Sequence, residues 1–153
     1  MTNPKVKVEH ANIRELLHEQ RSYDCILIDL LDPNLRQDGQ IDLWYDCLFL
    51  AKHWIREDGA IVINGGGVTP WETDQLASFL DLTQKKLELP LHLYKAFVPS
   101  FGREWCYLLF HSTKKLSFEI KIKDLKYMST NAWSHAYSNT WTPDYHKIFH
   151  LNA

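Results

Sequence analysis

Tyr23-Asp24-Cys25-Ile26-Leu27-Ile28-Asp29-Leu30-Leu31-Asp32-Pro33 is an apolar run that stops in two carboxylates and a proline. Cys25 to Ile28 read as a β-strand buried on both faces, because a strand covered by helices on either side needs a continuous apolar run. Pro33 lacks a backbone donor and ends the pattern. Ligands of open α/β sheets bind just beyond the carboxyl ends of such strands. Asp29 and Asp32 fall there, three residues apart, and both are acids.

Working outward, residues 6–9 are a short β-branched alternation and are expected as a strand. Asn12 opens a helix expected over 13–20, with Ile13, Leu16 and Leu17 on one face. Its side-chain oxygen can accept an orphan backbone N–H, and Glu15 suits a capping box. Residues 32–39 are a loop of turn formers. Residues 44–55 carry Trp44, Cys47/Leu48, Ala51 and Trp54/Ile55 at helical spacing, with Gly59 expected as the left-handed cap. A strand over 60–63 then ends in Asn64-Gly65-Gly66-Gly67.

Thr69 or Pro70 opens the next helix, through Leu76, Phe79 and Leu80 towards Lys86. Strands at 91–97 and 105–110, joined by a turn at 99–103, predict an antiparallel hairpin. The order β-α-β-α-β-α-β-β predicts a single α/β domain: a mostly parallel sheet closed by a hairpin. Residues 1–112 form the expected core and 113–153 a C-terminal arm.

Composition narrows the function. The 153 residues are 45% hydrophobic and 24% charged with a net charge of −2, which suits a globular chain and argues against a dedicated nucleic-acid binder. The cluster Lys114, Lys115, Lys121, Lys123 and Lys126 reads as a solvated face. No run approaches a membrane span, and the polar N-terminus has no leader pattern, so a cytoplasmic protein is expected. Cys25, Cys47 and Cys106 are widely spaced in apolar runs and are expected to be buried, reduced thiols. His146 and His150 lack further ligands, and no metal is expected. Asn64 and its three glycines lack the Lys-Ser/Thr of a phosphate loop.

The ordered series of motifs resembles the C-terminal part of the polyamine aminopropyltransferases, spermidine synthase and its relatives, which share the fold of class I methyltransferases. Asp29-Leu30-Leu31-Asp32-Pro33 matches the family's pattern of an aspartate, two small residues and Asp-Pro, except that both small residues are leucines. His10-Ala11-Asn12-Ile13 aligns with its adenine-contacting helix start, Asn12 replacing an aspartate. Asn64 stands where the family has glutamine. Val98-Pro99-Ser100-Phe101-Gly102 resembles a Pro-Thr-Tyr-Pro turn with phenylalanine for tyrosine, and Pro143-Asp144-Tyr145-His146 a Pro-Asp-x-His segment.

The resemblance implies aminopropyl transfer from decarboxylated S-adenosylmethionine to a polyamine, releasing methylthioadenosine. It makes Asp29 the base and Asp32 a second anchor for the amine. Asn12, Ile13 and Leu30 would face the co-substrate, and Asn64 and Phe101 the acceptor. Carboxylates suit this reaction because they hold a cationic amine, orient its nitrogen and accept its proton. The family's small β domain, glycine-rich cofactor loop and acidic strand end have no counterpart in these 153 residues. Removing them would leave a hole in the sheet, filled if residues 6–9 pair with Cys25 to Ile28 or if a second copy or a partner chain supplies strands. Activity is therefore expected to be weak or absent without a partner; the alternative is a non-catalytic scaffold or regulatory subunit. Asp32 as a turn former and Asp29 as a strand-end cap are the purely structural readings.

Overall fold

The hairpin at the C-terminal side sets the sheet's order. A computed structural model describes residues 4–30, 33, 39–68 and 72–111. It contains a 3-10 helix at Ile13–His18, strand β1 at Tyr23–Ile28, helix α1 at Gln40–Trp54, and strand β2 at Ile55–Gly67. Helix α2 at Thr73–Leu87 and strands β3 at Leu91–Val98 and β4 at Arg103–His111 follow. β4 inserts between its hairpin partner and β2, giving the spatial order β1-β2-β4-β3. β1 and β2 pair in parallel, and β4 is antiparallel to both β2 and β3. Three strands thus run one way and β4 the other, which is the α/β sheet with closing hairpin that the element order predicts.

One face of this sheet carries the core. Ile61 and Ile63 of β2, Cys106, Leu108 and Phe110 of β4, and Leu93 of β3 meet Trp44, Leu48 and Ala51 of α1 and Leu76, Phe79, Leu80 and Leu87 of α2. The period of two along the strands and of three to four along the helices selects these positions. Phe79 is fully buried and meets the Trp44 ring edge-on, 4.6 Å between centroids at 66°. Thr83 is the buried polar residue of α2, and its hydroxyl donates to the Leu80 carbonyl at 3.0 Å. The helix therefore buries that group without leaving it unsatisfied.

Several expectations are corrected. Residues 6–9 form no strand, so they do not pair with β1. The first helix is a 3-10 helix that stops at His18, although Asn12 does cap it, its Oδ1 accepting the Arg14 N–H at 3.1 Å. α1 starts at Gln40, four residues before Trp44, behind Gly39 at φ 78, with Asp42 in its positive first turn. Gly59 is no helix cap: α1 passes directly into β2, and Gly59 lies inside that strand. A Cβ there would sit 2.6 Å from Ile55 Cδ1 and 3.0 Å from the Asp24 carbonyl, so the residue permits the close passage of β2 over β1 at their register shift.

β1 is not buried on both faces. It is a sheet edge, and Leu27 is 73% exposed among the described residues. Cys25 is likewise exposed rather than buried, while Cys47 and Cys106 are interior. The apolar run reads correctly as a strand, but the element that would cover its second side is not among the described residues. The expected C-terminal arm, including the lysine cluster, lies outside the described residues, as do positions 32 and 34–38 of the expected 32–39 loop.

Two outcomes follow from this packing. Phe79→Ala removes a ring with no exposed surface and is expected to destabilise the fold by about 3–5 kcal/mol in chemical unfolding. Burial pushes the Cys106 thiol up to about 12 from 9.0, and burial followed by the nearby Tyr107 pushes the Tyr94 hydroxyl up to about 12 from 10.0. An acid raised by folding stabilises fully below its unfolded value, and that contribution vanishes as pH climbs to the folded value. Unfolding free energy should therefore hold up to about pH 9 and fall between there and about pH 12. Denaturant titrations across that window measure it.

Candidate functional site

Parallel pairing brings the two strand ends of interest together. Ile28 is in register with Ile63, so the chain beyond each strand position emerges at the same rim: Asp29 beside Asn64. There the Asn64 side chain joins three strands. Its Nδ2 donates to Asp29 Oδ1 at 3.1 Å and to the Leu30 carbonyl at 3.4 Å, both just beyond β1. Its Oδ1 accepts the Gly66 N–H at 3.0 Å and the indole N–H of Trp105 from β4.

The amide orientation is dictated by its neighbours. Two of them are pure donors and two are pure acceptors, so only one of the two flips satisfies all four. The short loop back to Gly66 is an Asx turn, and the β2–β4 register shifts there in a bulge. Gly66 adopts φ +89, a left-handed conformation that glycine reaches without steric cost.

Asp29 also lines an apolar pocket of about 290 Å³. Ile13 of the 3-10 helix, Ile26, Leu27 and Ile28 of β1, Leu30, and Cys47, Leu50, Ala51 and Trp54 of α1 form the rest of its wall. Among the described residues, Asp29 is the one acid in that wall. The α1 residues fall at helical spacing and face the exposed edge of β1. The 3-10 helix is held against α1 by the Trp54 indole N–H on the Glu19 carbonyl at 2.9 Å and by an Arg14–Asp46 ion pair at 3.1 Å. Arg21 hydrogen-bonds Glu9, holding that carboxyl below the usual range, and its guanidinium lies 5.2 Å from the Trp54 ring centroid.

The sequence candidates distribute unevenly over this geometry. Asp29, Leu30 and Ile13 share the pocket wall, and Asn64 is bonded to Asp29. Asn12 is the cap of the 3-10 helix, one residue from the wall. Phe101 sits on the hairpin turn, 57% exposed, with its ring 4.5 Å from that of Trp105. It thus reaches Asn64 only through the tryptophan. Asp32, as well as His146 and His150, lies outside the described residues. Sequence reasoning missed Trp105 and the α1 wall. A tryptophan on a buried strand position needs a partner for its N–H, and that requirement was the available signal.

Asp29 keeps much of its field. Among the described residues its hydrogen-bond donor is a neutral amide, and its charge contributes, after burial, to raising the Tyr107 hydroxyl. An exposed carboxylate beside an apolar pocket can hold a cation attached to an apolar chain. No group of three or more His, Cys, Asp and Glu suited to a metal occurs among the described residues. No helix there is long and apolar enough to cross a membrane.

Asn64→Ala leaves the buried Trp105 N–H and the Gly66 N–H without an acceptor and should cost about 1–3 kcal/mol in unfolding experiments. Asn64→Asp keeps both acceptor contacts but faces Asp29 with a second carboxylate. Raising the pH from 3 to 7 should therefore destabilise Asn64→Asp relative to the parent chain.

No family profile matches the chain, and no curated protein matches it. Solved structures do. A spermidine synthase crystallised with the transition-state analogue AdoDATO superposes with a TM-score of 0.67 at 17% identity, covering 98% of this chain and 53% of that one. Spermidine synthase from Thermotoga maritima gives a TM-score of 0.60 at 16% identity, covering 98% and 51%. The chain thus spans about half the length of the synthases it matches. At such identity the likeness concerns architecture: the chain has the methyltransferase-like fold of the spermidine synthases.

Proposed function

We propose that this chain is the acceptor-binding half of a spermidine-synthase-like aminopropyltransferase, active when a second chain completes the sheet beside β1. The observation that carries the reading is the Asn64–Asp29 hydrogen bond at the mouth of an apolar pocket. It fixes a carboxylate without neutralising it. Asn64 spends its donors and acceptors inside the protein, so it acts as a positioning residue for Asp29.

In this reading the polyamine's ammonium approaches Asp29 and loses a proton to it. The freed nitrogen lone pair attacks the carbon next to the sulfonium of decarboxylated S-adenosylmethionine. The carbon–sulfur bond breaks, its electrons stay on sulfur, and neutral methylthioadenosine leaves. Ile13 and Leu30 supply apolar contact for the adenosine end, with Asn12 beside them. Asp32 anchors the acceptor's distal amine, and Phe101, lacking a hydroxyl, offers only a ring. The exposed β1 edge suits a second copy or a partner chain carrying the cofactor loop.

That edge also favours a second reading, a non-catalytic subunit that uses the strand to dock and has lost the chemistry. Calorimetry with methylthioadenosine and with putrescine separates the two. The enzymatic reading expects saturable heat with both, and Asp29→Asn should abolish putrescine binding while sparing methylthioadenosine. Silence with both ligands, in the presence of any co-purifying chain, overturns it and leaves the subunit reading. In that case Asp29→Asn retains partner association in native mass measurements.

A further inference from the structure

A second concavity, of about 870 Å³, lies on the outer side of α1, away from the Asp29 pocket. Tyr45, Phe49, Lys52 and His53 line it from α1, at spacings of three to four residues that put them on one stripe. His18 of the 3-10 helix and Lys86 of α2 flank that stripe. Phe49 is 48% exposed, so its ring is open to a ligand. Its ring lies 4.0 Å from that of His53 at 33°, and His53 Nδ1 donates to the Phe49 carbonyl at 2.7 Å, fixing the imidazole in the stack. The groove therefore carries an aromatic pair open to solvent, its two rings tilted against each other.

Its rim is cationic. Asp46, the acid in the wall, is already paired with Arg14. Lys86 lies 4.2 Å from the centroid of the Tyr45 ring and has no carboxylate partner among the described residues. Lys52 pairs with Glu88, but the two side chains are 39% and 70% exposed, and such surface pairs contribute little. An incoming dianion can take Lys52 from Glu88 at small cost. An exposed aromatic pair with two lysines beside it suits a planar ring that carries a phosphate, stacked on the pair's outer face.

We propose that this groove binds a nucleoside monophosphate, with the base on the Phe49–His53 stack and the phosphate held by Lys52 and Lys86. Its volume falls within the range of small-molecule sites. The site is separate from the proposed aminopropyl chemistry and does not rest on it.

Amide chemical-shift mapping of the full chain with uridine monophosphate tests the assignment. Saturable shifts are expected at residues 49–53 and at Lys86, unchanged by excess methylthioadenosine. Lys52→Ala combined with Lys86→Ala should raise the Kd at least tenfold, and so should Phe49→Ala; all three side chains are exposed, so folding is checked by an unchanged spectrum elsewhere. Absence of saturable shifts there, or equal binding by the variants, overturns the proposal. Inorganic phosphate binding as well as the nucleotide overturns the role of the rings, and a uridine oligonucleotide binding more tightly than the monomer overturns the mononucleotide assignment.

Discussion

One amide side chain at the sheet's rim holds the ends of three strands. Asn64 meets Asp29 and Leu30 beyond β1, the bulged backbone of β2, and the Trp105 indole of β4. Without it, parallel pairing would bring β1 and β2 to the rim but leave their exits unconstrained. The glycines that follow allow β2 to bend, and the amide decides how far. Asparagine suits the position better than glutamine would, because its shorter chain closes the two-residue Asx turn onto Gly66. Aspartate would satisfy the two donors but repel the carboxylate beside it.

The same arrangement separates stability from chemistry. The core lies on the helix-covered face, where Phe79, Trp44 and Leu108 are shielded from water. The candidate site lies at the rim and along the exposed edge of β1, where α1 supplies part of its wall. Asp29 is therefore accessible to solvent without taking any ion into the core, where desolvation would be costly. A substitution at Asp29 should touch the fold far less than one at Phe79.

Much of the framework could be read from the residues. The apolar run at 25–28 located β1, the periodicity of 44–55 located α1, and the spacing of two strands around Pro99 gave the hairpin, all within a few residues of their observed bounds. What escaped was set by tertiary context. A continuous apolar strand signals that both faces can be covered, yet it does not say by which chain, so Cys25 and Leu27 were placed inside and are exposed. Gly59 reads as a helix stop because glycine favours left-handed caps, but here the missing Cβ serves a close strand crossing. Asn64 reads as a strand end next to glycines, and its turn onto Gly66 is local, whereas its partners Asp29, Leu30 and Trp105 lie 34 to 41 residues away and are invisible to local pattern.

The exposed edge has a consequence for how the half-site would mature. The pocket wall beside β1 is apolar apart from Asp29, and it runs along the edge where another strand's backbone would pair. A strand arriving there buries Leu27 and the groove against α1 while leaving its own loop at the rim, next to Asp29. Under the proposed function, sheet completion and site completion would thus be one event, driven mainly by apolar burial rather than by the carboxylate. In the proposed reading, an acid held ready for a cation and an apolar strand edge open to a partner therefore belong to the same stretch of chain.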